Sequence, residues 1–561
     1  QRLTFKYWIN PCLGVTEEKT GRYILSEFNI EKNYIALINK YSQHFKNLTT
    51  FMSCTLPIID AEIKKIIYKQ METVIYLEPD EVKEFAFILG ANEEVEPLLD
   101  KYNTINKIKK EEKKVEKYWK NMLEEIQIKT PDDSFNYMVN GWLAYQTITS
   151  RLFAKAGFYQ VGGAYGFRDQ LQDAMNICTI NSDITRKQIL WNAKHQFTEG
   201  DVLHWWHKET NNGLRSRYKD DYLWLIQAVY EYIKITNDYD ILKEKIPFVQ
   251  GESLKENEME KGINYTYSLE KATLFEHCHL AIKKAQSSIG SNGLALIGGG
   301  DWNDGMNKVG EKGRGTSVWL SFFLYDCLDK FIYISNKYDQ KLNTNDWEQL
   351  KNSLKTSLLE KAWDGDYYLR AFFDNGQKLG SKDNSECKID LISQCFAILT
   401  GIATKKQIPS ILKAIDDQLV DKNLNIVKLL TPAFSKNENN PGYIMNYPNG
   451  IRENGGQYTH AVAWYIQALI KLGKYDLAYK TYQMINPIER TKSKETTDKY
   501  KIEPYVIAAD IYSNQDFEGH GGWSWYTGSA GWFYRVALID ILGFKKEGNK
   551  LFIEPHIPNK W

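Results

Sequence analysis

Two carboxylates stand three positions apart in a glycine-rich string, residues 298–307 (GGGDWNDGMN). Asp301 and Asp304 bracket Trp302 there. A carboxyl group against an indole is partly desolvated, which favours its neutral form and raises its pKa. A carboxyl still protonated near pH 7 is what a general acid at a glycosidic oxygen requires. The same string also fits an Asx-turn loop around a buried Trp.

Three further strings have a comparable make-up. In residues 162–173 (GGAYGFRDQLQD), Arg168 and Asp169 are adjacent, and Gln172 and Asp173 follow one helical turn on. Such a set can grip several hydroxyls of one sugar ring, or form an ion pair at a helix start. In residues 452–460 (RENGGQYTH), Glu453 and His460 lie either side of a double glycine. In residues 525–532 (WYTGSAGW), the Thr527 hydroxyl and the N–H groups after it sit where a helix begins, a place suited to an anion. No Gly-Lys-Ser/Thr follows, so it is not a nucleotide phosphate loop. His204 and His207, and His277 and His279, form close pairs. They lack the i, i+4 spacing with a Glu that marks a helical zinc site, so structural or substrate-wall roles are expected. There is no GxSxG for a serine nucleophile.

These strings need a scaffold. From about residue 133 to 542 nearly every periodic stretch is helical, for example 135–153, 220–235, 317–334 and 458–472. Roughly a dozen such stretches recur as pairs, which predicts a closed double ring, the (α/α)6 barrel. An open solenoid would show a repeat of fixed period, and none is present. The first hundred residues alternate in short runs, such as 2–9, 73–77 and 84–89, and predict a β-sandwich that is partial at its start. The expected layout is a β-sandwich piece over 1–104, a charged helical linker over 105–132, the barrel over 133–545 and a small β piece over 546–561.

Lys+Arg and Asp+Glu both number 71, so the formal net charge is zero. This gives no basic surplus for nucleic acid or an anionic membrane. No run of about 18 apolar residues predicts a membrane span. Seven dispersed cysteines without a CxxC point to a reducing, cytoplasmic setting. No signal peptide is seen, and a start at Gln1 suggests an origin inside a longer protein. Aromatic residues form 14% of the chain, suited equally to stacking on sugar faces and to filling a large core.

The four strings, in order, on a helical scaffold after a β region, resemble glycoside hydrolase family 94, formerly glycosyltransferase family 36, the cellobiose and chitobiose phosphorylases. The wording is closest to the 1,2-β-oligoglucan phosphorylases and the phosphorylase-like C-terminal region of cyclic β-1,2-glucan synthases. It is carried by NPCLGVTEEKTGRYILSE, GWLAYQTITSRLFAKAGFYQVGGAYGFRDQLQD, EGDVLHWWH, GDWNDGMNKVGEKGRGTSVWL and YKIEPYVIAADIY. The resemblance implies that Asp304 is the proton donor, that Arg168, Asp169, Trp302 and Glu453 contact the glucosyl unit, and that His460, Thr527 and Gly528 hold phosphate. It implies phosphate as co-substrate and no metal or organic cofactor. The partners are then a β-glucooligosaccharide and phosphate, with a homodimer left open.

One position departs from the family. The disaccharide phosphorylases carry a phosphate-binding Arg six residues before the Asp of the FRD string, where this chain has Gly163. Arg168 and Arg452 are then the candidate cations. The implied reaction is inverting phosphorolysis of β-linked, β-1,2 above all, glucooligosaccharides. It needs only the acid, because phosphate is already an anion and attacks the anomeric carbon directly. The alternatives are an inverting hydrolase with Asp169 or Glu453 as base, and a non-catalytic glucan-binding or chain-length-controlling module of a larger synthase.

Overall fold

Strands at the start of the chain alternate apolar and polar residues, so each must bury one face. The computed structural model describes residues 1–9, 23–40, 45, 47–63, 69–154, 162–435 and 439–561. It divides into units 1–122 and 123–561. Residues 10–22, from the first of the family-like strings, and 155–161, from the second, lie outside the described residues.

In the first unit, Ile24–Asn29, Tyr34–Asn39, Thr49–Cys54 and Phe87–Asn92 form one antiparallel sheet in that order. Arg2–Ile9, Lys69–Tyr76 and Asp60–Ile63 form a second. Residues of both sheets, among them Leu37, Met52 and Met71, share one apolar core. The strand expected over 84–89 begins only at Phe87. Before it, Ala86 pairs locally with Thr55, and Phe85 turns aside to pack edge-on against Phe5. The helix Ile105–Leu123 follows.

The second unit is mainly helical. Six helices are buried almost all round: α1 (Phe167–Asn176), α2 (Leu223–Thr236), α3 (Val318–Tyr338), α4 (Leu391–Leu399), α5 (Thr459–Lys471) and α6 (Ser529–Arg535). A helix apolar on every side belongs in an interior; α2 (LWLIQAVYEYIKIT) and α4 (LISQCFAIL) read that way. Each packs on the next, and α6 packs back on α1. Helical segments at 133–153, Ser182–Ala193, Leu274–Gln286, Asn345–Lys361, 408–419 and Tyr475–Ile485 alternate with them along the chain. The segments leading into the six helices therefore gather at one end of the ring. A four-stranded sheet at that end contains Tyr165–Gly166 and Leu203–His207. After α6 comes the hairpin Phe544–Glu547 with Lys550–Ile553.

No described helix is long and apolar enough to cross a membrane. The six described cysteines are buried and free.

Candidate functional site

All eight residues singled out from the sequence line one cavity of about 400 Å³ at the gathered ends: Arg168, Asp169, Trp302, Asp304, Glu453, His460, Thr527 and Gly528. The reason is topological. Each stands in the first turn of a ring helix or in the segment just before it. Their side chains converge although the chain separates them by up to several hundred residues.

The DWND turn is fixed from below. Ser317 caps α3 by accepting a hydrogen bond from the Leu320 N–H, and its hydroxyl donates to Asp301 Oδ2 at 2.7 Å. Arg370 donates to both Asp301 oxygens, at 2.8 and 2.7 Å. Gly305 then lets the turn lie against residues 443–446, because a Cβ there would sit 2.7 Å from Ile444 Cβ. This brings Tyr443 into the lining of the cavity.

Asp304 projects from that turn toward α1. Its Oδ1 accepts from Arg168 Nη2 at 2.5 Å, and its Oδ2 lies 3.9 Å from His204 Nε2. Burial raises its pKa above the ordinary carboxylate value, and this outweighs the opposing pull of Arg168 and His204. Arg168 itself is tightly committed. Besides Asp304, it donates to Asp220 and to the Asp301 carbonyl, each at 3.0 Å.

Asp169 leaves the first turn of α1, where a negative charge is favoured. Gly166 makes room for it, since a Cβ there would stand 2.1 Å from Asp169 Oδ2. Burial would raise Asp169, yet Arg151 and Arg168 hold its carboxyl below the usual value. Glu453 is gripped by its neighbour Arg452, whose Nε reaches Oε2 at 3.2 Å. The Arg452 guanidinium is itself sandwiched near the Trp523 and Tyr447 rings. Trp302 is buried, with His460 and Trp464 against it at ring distances of 5.2 and 5.0 Å.

Among the cavity residues that the sequence reading missed, Arg151 carries a charge. Arg151, almost wholly buried at the end of the 133–153 helical run, donates to Asp173 at 2.8 Å and Asp169 at 2.9 Å. Its guanidinium lies over the Tyr526 ring. A Cβ placed on Gly528 would stand 3.7 Å from Arg151 Nη2, 3.7 Å from His460 Cε1 and 3.6 Å from Asp173 Oδ1. Arg151, His460 and Gly528 thus enclose one small space. In it, His460 Nε2 and Asp173 Oδ1 are buried without hydrogen-bond partners. Burial, helped by Arg151, pushes His460 down to about 3, and burial pushes Asp173 up to about 7 against the pull of Arg151. That space is lined by a guanidinium, a neutral imidazole, the Thr527 hydroxyl and the Asp173 carboxyl. The two cations expected from the sequence, Arg168 and Arg452, are held by Asp220 and Asp304 and by Glu453 respectively, as Arg151 is by Asp173 and Asp169; what sets Arg151 apart is its place beside Gly528 and His460. Nothing in the local string TITSRLFAKAG marks Arg151 as different from a helix-end arginine.

His204 and His207 also line the cavity, together with Trp205. Among the described residues no group of three or more His, Cys, Asp or Glu side chains is arranged to hold a metal ion.

Residues 118–543 match the family model described as glycosyl hydrolase 94 superfamily, catalytic domain. The cyclic beta-(1,2)-glucan synthase NdvB of Rhizobium meliloti (strain 1021) is 44% identical over 79% of this chain and 16% of its own length. The N,N'-diacetylchitobiose phosphorylase of Vibrio proteolyticus is 27% identical over 86% of this chain and 61% of its own. The chain thus spans less than two thirds of either relative. In fold it is similar to a bacterial glucoamylase complexed with acarbose, with a TM-score of 0.52, 11% identity, and coverage of 90% of this chain and 72% of that one.

Proposed function

The chain belongs to the glycosyl hydrolase 94 superfamily, and on that premise we propose that it is an inverting phosphorylase of β-linked glucooligosaccharides built on an (α/α)6 barrel. Asp304 is the general acid. Asp169, Trp302 and Glu453 hold the glucosyl unit, and Arg168 orients the acid and the turn that bears it. Phosphate sits among Arg151, His460, Thr527 and the backbone of Gly528. Arg151 is the cation that the glycine at position 163 leaves wanting.

One observation carries this reading. A carboxyl whose pKa is raised by burial and a cluster of Arg151, His460, Thr527 and the Gly528 backbone face the same cavity. In the reaction, Asp304 gives its proton to the glycosidic oxygen as the C1–O bond breaks. A phosphate oxygen attacks C1 from the opposite face, so a β-linkage becomes α-glucose 1-phosphate and a shortened glucan. The charge that develops on the sugar ring lies between the phosphate and the carboxylates beside it. A hydrolase on this site would need Asp169 or Glu453 free as a base. Asp169 is paired with Arg151, and Glu453 with Arg452. The β-1,2 linkage is supported by the identity to the β-1,2-glucan synthase.

The test is incubation with β-1,2-, β-1,3- and β-1,4-linked glucotrioses, with and without phosphate. The expected product is α-glucose 1-phosphate, formed fastest from the β-1,2 trimer and only with phosphate. Free glucose without phosphate would replace the phosphorylase by a hydrolase. Faster attack on the β-1,4 trimer would remove the β-1,2 assignment alone. No product under any condition would leave the non-catalytic glucan-binding module.

A further inference from the structure

The two oxygens of Asp304 are not equivalent. Oδ1 accepts a hydrogen bond from the Arg168 guanidinium. An oxygen so engaged is a poor seat for a proton, because protonation there would set an O–H against an N–H. The transferable proton of the acid therefore belongs on Oδ2. The group facing Oδ2 is His204, with Nε2 at 3.9 Å.

His204 is held firmly. It comes from the strand Leu203–His207, its Nδ1 meets Asp221 Oδ2 at 2.8 Å, and its ring stacks on Tyr218 at 4.5 Å. The result is a row of carboxylate, imidazole and carboxyl: Asp221, His204, Asp304. We propose that His204 is a positioning residue for the acid: anchored by Asp221, it faces the proton-bearing oxygen of Asp304 as a cation and sets how firmly that oxygen keeps its proton. This rests on the reading of Asp304 as the acid.

The charges around His204 come from three segments. Asp221 and Tyr218 stand before α2, Arg168 and Asp169 belong to α1, and Asp304 precedes α3. Burial would lower the imidazole pKa, but Asp221 and then Asp304 raise it to about 9 against the repulsion of Arg168. The ring is thus an imidazolium through the neutral range. A cation at that distance favours the ionised carboxylate and opposes the effect of burial on Asp304. The acid is then neither too weak to release its proton in phosphorolysis nor too weakly ionised to act as base in the reverse, synthetic direction.

The experiment is the pH dependence of kcat/KM in both directions for wild type, His204→Gln and His204→Lys. Glutamine removes the charge, so the Asp304 pKa rises. The basic limb of glucan cleavage should move up by roughly one pH unit or more, the scale of one nearby charge. The acidic limb of synthesis should move up with it. Lysine restores the cation and should bring both limbs back toward wild type. Limbs that stay put in His204→Gln, whatever happens to kcat, overturn the proposal, as do equal shifts in both variants. Cleavage can be followed by glucose 1-phosphate or by free glucose. The identity of the product thus tests the phosphorylase reading, while the limb tests His204. If the variants do not fold, the ring-nitrogen NMR spectrum of the nine histidines in wild type decides. One ring still doubly protonated above about pH 8 supports the proposal, and all rings neutral by then overturn it.

Discussion

Asp301 and Asp304 share one turn, and their surroundings set them apart. Asp301 is fully buried, and every contact it makes is a donor: two arms of Arg370, the Ser317 hydroxyl and the Asn303 N–H. Burial alone would raise its pKa, but these donors hold it below the usual value. Asp304 is equally desolvated on one side, yet its side chain keeps 31% of its exposure and only one oxygen is bonded. Its pKa moves the other way. Proximity to an indole does not by itself make an acid. A carboxyl becomes one when desolvation is left partly uncompensated and one oxygen still faces the cavity.

The contrast can be broken most sharply at Asp304. Asn keeps the size and loses the proton, so Asp304→Asn should lower turnover by roughly 10²–10⁴-fold, with an unchanged melting temperature. Near-normal rates would return the acid to Asp301. The mirror experiment is Arg370→Met, which strands a buried carboxylate. It should cost about 3–5 kcal/mol of stability, read as a fall in the thermal or urea midpoint. An unshifted midpoint would mean that the Asp301 cluster is not what fixes the turn. The smallest effects are expected in the cradle. Arg151→Gln should raise the KM for phosphate by roughly 10–100-fold, the range for a charged hydrogen bond, and Thr527→Val by roughly fivefold. The KM for glucan should change less in both. Equal weakening of both substrates would remove these residues from the anion site.

The sequence and the structure meet where local composition carries information. Glycine beside Trp, Asp or His, just before an apolar helix, marks a place where backbone comes close to a ligand, and most residues chosen on that basis line the cavity, while Asp301 and Asp173 lie buried behind it. The helical periodicity likewise located three of the ring helices, α2, α3 and α5, to within a few residues, as at 458–472 against Thr459–Lys471. What escaped was set by tertiary placement alone. Arg151 sits in an ordinary helix-end string and comes to line the cavity only because distant Gly528 arrives beside it. Asp220 and Asp221 open the stretch read as helical over 220–235, yet both are buried against Arg168 and His204. Charge pairs of this kind are legible only once distant segments are joined.

That joining has a consequence for the order of events during synthesis. The proposed phosphate cradle draws Arg151 from one end of the ring and Thr527 with Gly528 from the other, and α6 must close on α1 before they meet. The same seam is stitched by Gln146, whose side chain both donates to the Ile507 carbonyl and accepts from its N–H across 361 residues. Contacts of such long sequence separation form late. A nascent chain halted before residue 527 has the DWND turn and Arg151 but lacks the Gly528 backbone that completes the proposed anion site. Assembly of the proposed site thus waits on the docking of α6 against α1.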